Sequence, residues 1–262
     1  MGVSTQAAEP SVFNLSGRLA VVTGVRRGIG LAIADALAAS GADVLGISRD
    51  LESDGGEART LVEGHARQFI GIAADLSDRR SVRQLLAAIN EVGRPVDILV
   101  NNAGTIYREP AVEHSLEGWD RVIEVNLTSQ FMLTQGIGSE MLSRRYGKVI
   151  FTASMLSFQG GINVPSYTAS KHGLAGLTKA LANEWAPLGV NVNAIAPGYI
   201  ATDNTQALRE DPVRAKAILE RIPAGRWGTP SDIAWTAVFL ASRASDYVNG
   251  AILPVDGGWL GR

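Results

Sequence analysis

Short runs of apolar, β-branched residues alternate along the chain with longer stretches of helical periodicity. The segments "LAVVTG" (19–24), "ADVLGIS" (42–48), "QFIGIAAD" (68–75), "DILVNNAG" (97–104), "GKVIFTAS" (147–154), "GVNVNAIAPG" (189–198) and "AILPVDGG" (251–258) predict seven strands. They are apolar at consecutive rather than alternate positions, as in a parallel sheet covered by helices on both faces. Between the third and fourth runs, Val82, Leu85, Leu86, Ile89 and Val92 recur at helical spacing, with Ser77 placed to cap that helix. The βαβα order predicts a single α/β domain, a doubly wound parallel sheet of about seven strands with right-handed crossovers. In such sheets ligands bind beyond the carboxyl ends of the strands.

Two segments depart from the alternation. Residues 1–12 read as a flexible arm ahead of a domain spanning 13–262. Residues 198–230 form a long helical insertion before the last strand, either a lid over the site hinged at its prolines and glycines or a static helical subdomain.

Composition narrows the partners. Hydrophobic residues make up 46% of the 262 and charged residues 19%, enough for a sizeable core. The net charge of −2 gives no reason to expect nucleic acid or an anionic membrane as partner. Cysteine is absent, which removes disulfides, thiol catalysis and cysteine-based zinc sites and suits a reducing compartment. No apolar run reaches the ~20 residues needed to span a bilayer. The first residues lack a basic region followed by an apolar core, so the expected location is the cytoplasm.

The informative positions lie at the strand ends. In "VVTGVRRGIGLAIADALAASGA" a strand runs into a glycine-rich turn and then a helix. Gly24, Gly28 and Gly30 allow a tight turn, and the backbone N–H groups and dipole of the helix start favour an anion such as a pyrophosphate. Tyr167 and Lys171, four residues apart, share one face of a helix.

The string "TGVRRGIG" resembles the glycine motif of the short-chain dehydrogenases/reductases, a Rossmann-type family, and the resemblance continues almost to the end of the chain. "NNAG" (Asn101–Gly104, with Asn102, Ala103 and Gly104 near the cofactor) resembles the family's fourth-strand motif, and Asn126 its helix asparagine. Ser154 stands thirteen residues before Tyr167. Pro197 and Gly198, followed by Ile200 and Thr202, resemble the loop that holds the nicotinamide end; Ile29 falls in the glycine turn, and Asp75 with Leu76 where the family holds the adenine ring. The resemblance implies a hydride transfer between a nicotinamide cofactor and a carbonyl or secondary alcohol, with no metal. In it Tyr167 is the acid/base, Ser154 holds the substrate oxygen, Lys171 bonds the nicotinamide ribose and Asn126 holds a relay water. A nearby ammonium and an oxidised nicotinamide are expected to favour the phenolate of Tyr167, whose free pKa is about 10. His65, His114 and His172 are expected to take no part.

NADP(H) is the favoured cofactor, with NAD(H) the alternative. A 2′-phosphate needs cations where a 2′-hydroxyl is met by an acid. The second strand ends in Ser48 and Arg49, and the glycine loop adds Arg27. Arginine can fork two N–H groups onto phosphate oxygens. Asp50 stands one position late for the NAD-type acid.

Longer stretches, among them "ASMLSFQGGINVPSYTASK" and "NVNAIAPGYIATDNTQALR", resemble the 2-deoxy-D-gluconate 3-dehydrogenase group, also described as 2-dehydro-3-deoxy-D-gluconate 5-dehydrogenases. That resemblance implies a six-carbon keto-deoxy sugar acid as substrate, or the related uronate from alginate. It also carries a tension, because the group is commonly associated with NAD. A carboxylate in a closed site needs a cation. Arg108 is the first candidate and Arg226 the second, with Gln159, Tyr199 and Asn204 for hydroxyls and Trp227 against the carbon chain. A 3-oxoacyl thioester reductase and a non-catalytic dinucleotide sensor remain as alternatives. The family further implies a homotetramer, with the helices around 115–143 and 166–187 at one interface, where Ala169, Gly173 and Gly176 either permit close approach or face the chain's own sheet. Trp259 is expected between subunits.

Overall fold

The structure, a computed structural model, describes residues 11–262. The arm expected at 1–12 lies outside the described residues up to position 10; Ser11 and Val12 are exposed and enter a turn. The seven strands are β1 (Leu19–Thr23), β2 (Asp43–Ser48), β3 (Phe69–Ala73), β4 (Ile98–Asn101), β5 (Gly147–Thr152), β6 (Val190–Pro197) and β7 (Ile252–Val255). All pair in parallel, in the order β3-β2-β1-β4-β5-β6-β7. The helices are α1 (Gly28–Ala39), α2 (Gly56–Gly64), α3 (Arg79–Glu91), α4 (Leu116–Ile123), α5 (Ser129–Arg144), α6 (Pro165–Trp185), α7 (Gln206–Glu210), α8 (Pro212–Arg221) and α9 (Pro230–Ala241).

The two cores show why the central strands read as unbroken apolar runs. Ala20 and Val22 of β1 point into a core with Ile33 and Leu37 of α1 and Ile233 and Ala237 of α9. Leu19 and Val21 of the same strand point into the opposite core, with Val82 and Leu85 of α3, Leu133 and Ile137 of α5, and Leu174 of α6. Successive side chains on a strand face opposite ways, so a strand covered on both sides needs apolar residues throughout. The two outermost strands differ from that expectation. In β3 only Phe69 is buried, and in β7 no residue is, because each is an edge strand with a neighbour on one side only.

Ser77 does not cap α3. Asp78 does, its carboxylate accepting from Arg80 N at 2.9 Å and Ser81 N at 3.3 Å. Ser77 instead donates its hydroxyl to Asp75 at 2.7 Å, completing the turn after β3. The strand order reverses between β1 and β4, which is where a doubly wound sheet opens a crevice at its carboxyl edge. No helix among the described residues is long and apolar enough to cross a membrane.

Candidate active site

The crevice is built around a knot of short hydrogen bonds. Thr23, the last residue of β1, accepts through its hydroxyl from Asn102 N at 3.0 Å and Ala103 N at 2.9 Å. Asn102 returns its amide to Thr23 O at 3.0 Å, and Thr152 at the end of β5 donates to Asn102 Oδ1 at 3.3 Å. The ends of β1, β4 and β5 are thereby tied to one another. Gly24 takes φ +76° and Gly28 φ +58°, a region favouring glycine. A Cβ on Gly30 would stand 2.0 Å from Gly24 O, so α1 can lie this close to the loop only with glycine there. Arg27 precedes α1 in extended conformation and makes no capping bond, which leaves the first N–H groups of the helix available to an anion.

Helix α6 brings Tyr167 and Lys171 together, with Lys171 Nζ 5.4 Å from the centroid of the Tyr167 ring. Lys171 is 3% exposed, and its ammonium donates to Thr152 O at 2.6 Å, the carbonyl at the end of β5. Burial pushes its pKa down to about 7. Tyr167 departs from the expected direction: withdrawal of the phenol from water pushes its pKa up, against the opposing hydrogen bond of Ser154 and the charge of Arg108. The neighbouring lysine does not reverse this, because the environment that buries the phenol also makes the lysine a weak cation. Ser154 starts the turn Met155–Ser157 and accepts from Leu156 N at 3.1 Å, which fixes its hydroxyl beside Tyr167.

Asn126 lies fully buried in a π-helical turn, Glu124–Thr128, between α4 and α5. Such a turn widens a helix and recurs at functional sites. Its amide is taken up by protein partners: Oδ1 accepts from Thr105 N at 2.8 Å, while Nδ2 donates to Thr105 O at 2.9 Å and Ser170 Oγ at 3.1 Å. Ser170 in turn donates to Tyr167 O at 2.7 Å. The side chain thus fixes the loop after β4 against the helix carrying Tyr167, and its bonds give no direct support to a water-holding role.

At the adenosine end, three arginines surround the carboxyl edge of β2. Arg49 pairs with Asp50 at 3.1 Å, Arg26 with Glu52 at 3.0 Å and Arg27 with Asp203 at 2.8 Å, all at the surface. Arg49, Arg26 and Arg27 together hold the Asp50 carboxyl below its ordinary range. Ser48 Oγ accepts from Arg26 N at 3.2 Å. Burial raises the pKa of Asp75, but hydrogen bonds from Ser77, with Arg49 and Arg121, bring it below its ordinary value. Leu76 and Ile200 are buried among core side chains, so only their backbones could meet a ligand. Ala103 spends its backbone N–H on Thr23 and its carbonyl on Gln130. A Cβ on Gly198 would lie 2.5 Å from Asp256 Cα, so the turn after β6 and Pro197 packs directly on the end of β7. Gly104 faces Asn126, and Ile29 packs against the α1–α9 core.

Of the substrate candidates, Arg108 is exposed, donates to Asn204 O at 3.2 Å and acts electrostatically on the Tyr167 phenol. Arg226 is different: it grips Asp232 through two bonds of 2.7 and 2.8 Å, and Asp232 also accepts from Thr229 N at the start of α9. Its guanidinium is committed to fixing the base of the 198–230 segment. Tyr199 stacks edge-on with Trp227 and Trp259, at 5.5 and 4.8 Å between centroids, and Trp259 Nε1 donates to Gln159 at 3.4 Å. Trp259 is buried within its own chain, packed with Met155, Ile218 and Ile222, so its burial does not depend on a second subunit. Gly173 likewise faces Leu127 of its own chain.

Thr23, Thr152, Thr105, Ser170 and Asp203 were not singled out by sequence. Each acts through a partner tens of residues away, and only the neighbouring motifs hinted at them. Among the described residues, no group of three or more His, Cys, Asp or Glu could hold a metal ion.

A crevice with a glycine loop at a helix start, a tyrosine and lysine one turn apart and a serine beside them defines a class. The family model described as enoyl-(acyl carrier protein) reductase matches residues 24–260, and the chain belongs to the short-chain dehydrogenase/reductase family. Within it, the chain is 57% identical over 250 residues to a 2-dehydro-3-deoxy-D-gluconate 5-dehydrogenase of Pseudoalteromonas atlantica, covering 95% of this chain and 98% of that one. A structure from Agrobacterium tumefaciens, provisionally described as a 2-deoxy-D-gluconate 3-dehydrogenase with bound NADP, is 54% identical with a TM-score of 0.89, covering 96% and 100%. A gluconate 5-dehydrogenase from Burkholderia cenocepacia in complex with NADP and tartrate is 34% identical with a TM-score of 0.90, covering 95% and 98%.

Proposed function

We propose that the protein is an NADP(H)-dependent oxidoreductase acting on a six-carbon keto-deoxy sugar acid such as 2-dehydro-3-deoxy-D-gluconate. The observation that carries this reading is Arg108, a cation whose charge reaches the Tyr167 phenol and which is tied to the 198–230 segment through Asn204 O. That is where a substrate carboxylate would be held while its carbonyl meets the acid/base. The names and the bound NADP of the relatives point the same way.

The residues present fit the cofactor. The unclaimed N–H groups at the start of α1 suit a pyrophosphate, and Arg27 and Arg49 suit a 2′-phosphate. When bound, the nicotinamide supplies or accepts the hydride at the substrate carbon. In the reductive direction Tyr167 delivers the phenolic proton to the substrate oxygen, and Ser154 holds that oxygen by a hydrogen bond as negative charge develops. The raised pKa of the phenol keeps it protonated and ready to act as the acid. Lys171, with a pKa of about 7, can take or release a proton near neutrality and is anchored to Thr152 O while doing so. Action in the cytoplasm and assembly as a homotetramer belong to the same proposal. Exposed Leu116, Trp119 and Phe131 on α4 and α5 support an interface there.

The test is a steady-state assay with NADPH and NADH over keto sugar acids and a 3-oxoacyl thioester, on the wild type and Arg108→Ala. Turnover of a sugar acid is expected, with its KM raised about 10- to 100-fold in Arg108→Ala, the cost of one charge-assisted hydrogen bond. Turnover of the thioester alone, or an unchanged KM for the acid, would refute the reading.

A further inference from the structure

The 198–230 segment touches the glycine loop at two places. A Cβ on Gly28 would lie 3.5 Å from the Thr202 methyl, so the loop and the start of the segment are in van der Waals reach. The next residue, Asp203, reaches Arg27 Nη1 at 2.8 Å. These two residues are 176 positions apart and belong to different working parts: Arg27 opens the anion-accepting start of α1, and Asp203 lies in the segment that reaches across to Arg108 through Asn204. Both partners are solvated, with side chains 69% and 62% exposed, so the pair is neither a buried structural bridge nor a packing requirement.

We propose that Asp203 is a specificity-determining residue that occupies the phosphate-binding arginine from the substrate side, so that a 2′-phosphate must displace it from Arg27 whereas a 2′-hydroxyl does not. The proposal rests on the reading of Arg27 as a 2′-phosphate ligand. A phosphate monoester carries close to two negative charges and three acceptor oxygens near neutrality, against one charge on a carboxylate, so the exchange favours the phosphate. Asp203 is nonetheless a standing competitor, and it moderates the preference for NADP(H). The neighbouring pairs add to the effect. Arg26 and Arg49 are also matched by carboxylates, Glu52 and Asp50, so each of the three cations is already paired with one of three anions before a phosphate arrives. Of those three anions only Asp203 belongs to the 198–230 segment. Displacing it therefore frees one tie between that segment and the nucleotide loop, while the Arg108–Asn204 tie remains.

The experiment measures Kd for NADPH and NADH by quenching of intrinsic tryptophan fluorescence, on the full-length wild type, Asp203→Asn and Arg27→Met. Asp203→Asn is expected to bind NADPH about two- to fivefold more tightly, the value of a solvated ion pair, with NADH unchanged. The gain should shrink as salt is raised, since the competitor is a surface charge. Arg27→Met is expected to weaken NADPH and spare NADH. If Arg27→Met behaves so while Asp203→Asn leaves NADPH binding unchanged or weaker, the competition is refuted and the reading of Arg27 stands. If Arg27→Met changes neither affinity, that reading falls and the proposal falls with it. Thermal melts of each variant without nucleotide separate these results from misfolding: the side chains lie at the surface, so melting within a degree or two of wild type is expected.

Discussion

Lys171 offers a sharp test of how the site is held. Its ammonium is buried with one hydrogen bond, to Thr152 O, and no carboxylate partner among the described residues. An ordinary lysine titrates at 10.5 and this one at about 7, with burial the cause. At about 1.4 kcal/mol per pH unit, the fully charged form costs the folded state about 5 kcal/mol. The sign follows from proton counting. Between about 7 and 10.5 the unfolded chain holds a proton that the folded chain has released, so wild-type stability rises with pH through that window. The penalty is fully present below pH 7 and fades toward 10.5. Lys171→Met keeps the aliphatic bulk and removes the titration. It should therefore stabilise the nucleotide-free protein at pH 6 by about 4 kcal/mol, after allowing about 1 kcal/mol for the lost hydrogen bond to Thr152 O. The gap between variant and wild type should narrow by about 2–3 kcal/mol between pH 6 and pH 9. The assay is urea unfolding at fixed protein concentration across that range, since association adds to apparent stability. A gap that stays flat with pH, or a variant less stable than wild type at pH 6, would sink the reasoning. The gain in stability should come with loss of turnover, because the group removed is one the proposed site uses.

Two further perturbations test the framework of the site. Asn126→Ala leaves Thr105 N, Thr105 O and Ser170 Oγ without their partner in a buried turn, so a loss of about 2–4 kcal/mol in unfolding free energy is expected; a melting temperature equal to wild type would show that water replaces the amide without cost. Asp232 is held well below the ordinary carboxylate range by Arg226 and by Thr229 N–H, so it stabilises the start of α9 above the unfolded carboxylate pKa and loses that contribution as pH falls. Asp232→Asn should cost about 1 kcal/mol at pH 7 and progressively less below pH 4, and a cost independent of pH would point to packing rather than charge.

The legible parts of this protein were the local ones. All seven strands, the glycine turn and the shared face of Tyr167 and Lys171 follow from periods of two and 3.6 residues and from backbone demands at single glycines. Non-local contacts explain the rest. β3 and β7 read like their neighbours in composition, yet lie at the edges because strand order is set by crossovers that no single run encodes. Ser77 and Asp78 are both good caps, and the choice between them fell to Asp75, which claims the Ser77 hydroxyl. Arg226 looked like a free cation until Asp232, six residues on, was placed within its fork.

The sign of the Tyr167 shift has the same origin, and it bears on how the chemistry is run. The four-residue spacing brings the ammonium near the ring, but whether that ammonium is charged depends on β5, which contributes Thr152 O, and on the packing that buries α6. Burial acts on both members at once, raising the phenol and lowering the amine, so it favours the neutral form of each and moves their protonation equilibria apart. Transfer of the phenolic proton to the amine is therefore uphill in the nucleotide-free site, and the phenol is held in its protonated form, the form that reduction needs. Arg108 then tilts the balance, because its charge favours the phenolate and its guanidinium answers to the 198–230 segment through Asn204. A substrate carboxylate that draws Arg108 to itself would weaken that pull and leave the phenol a better-populated acid, coupling the presence of the acid group on the substrate to the proton that its carbonyl receives.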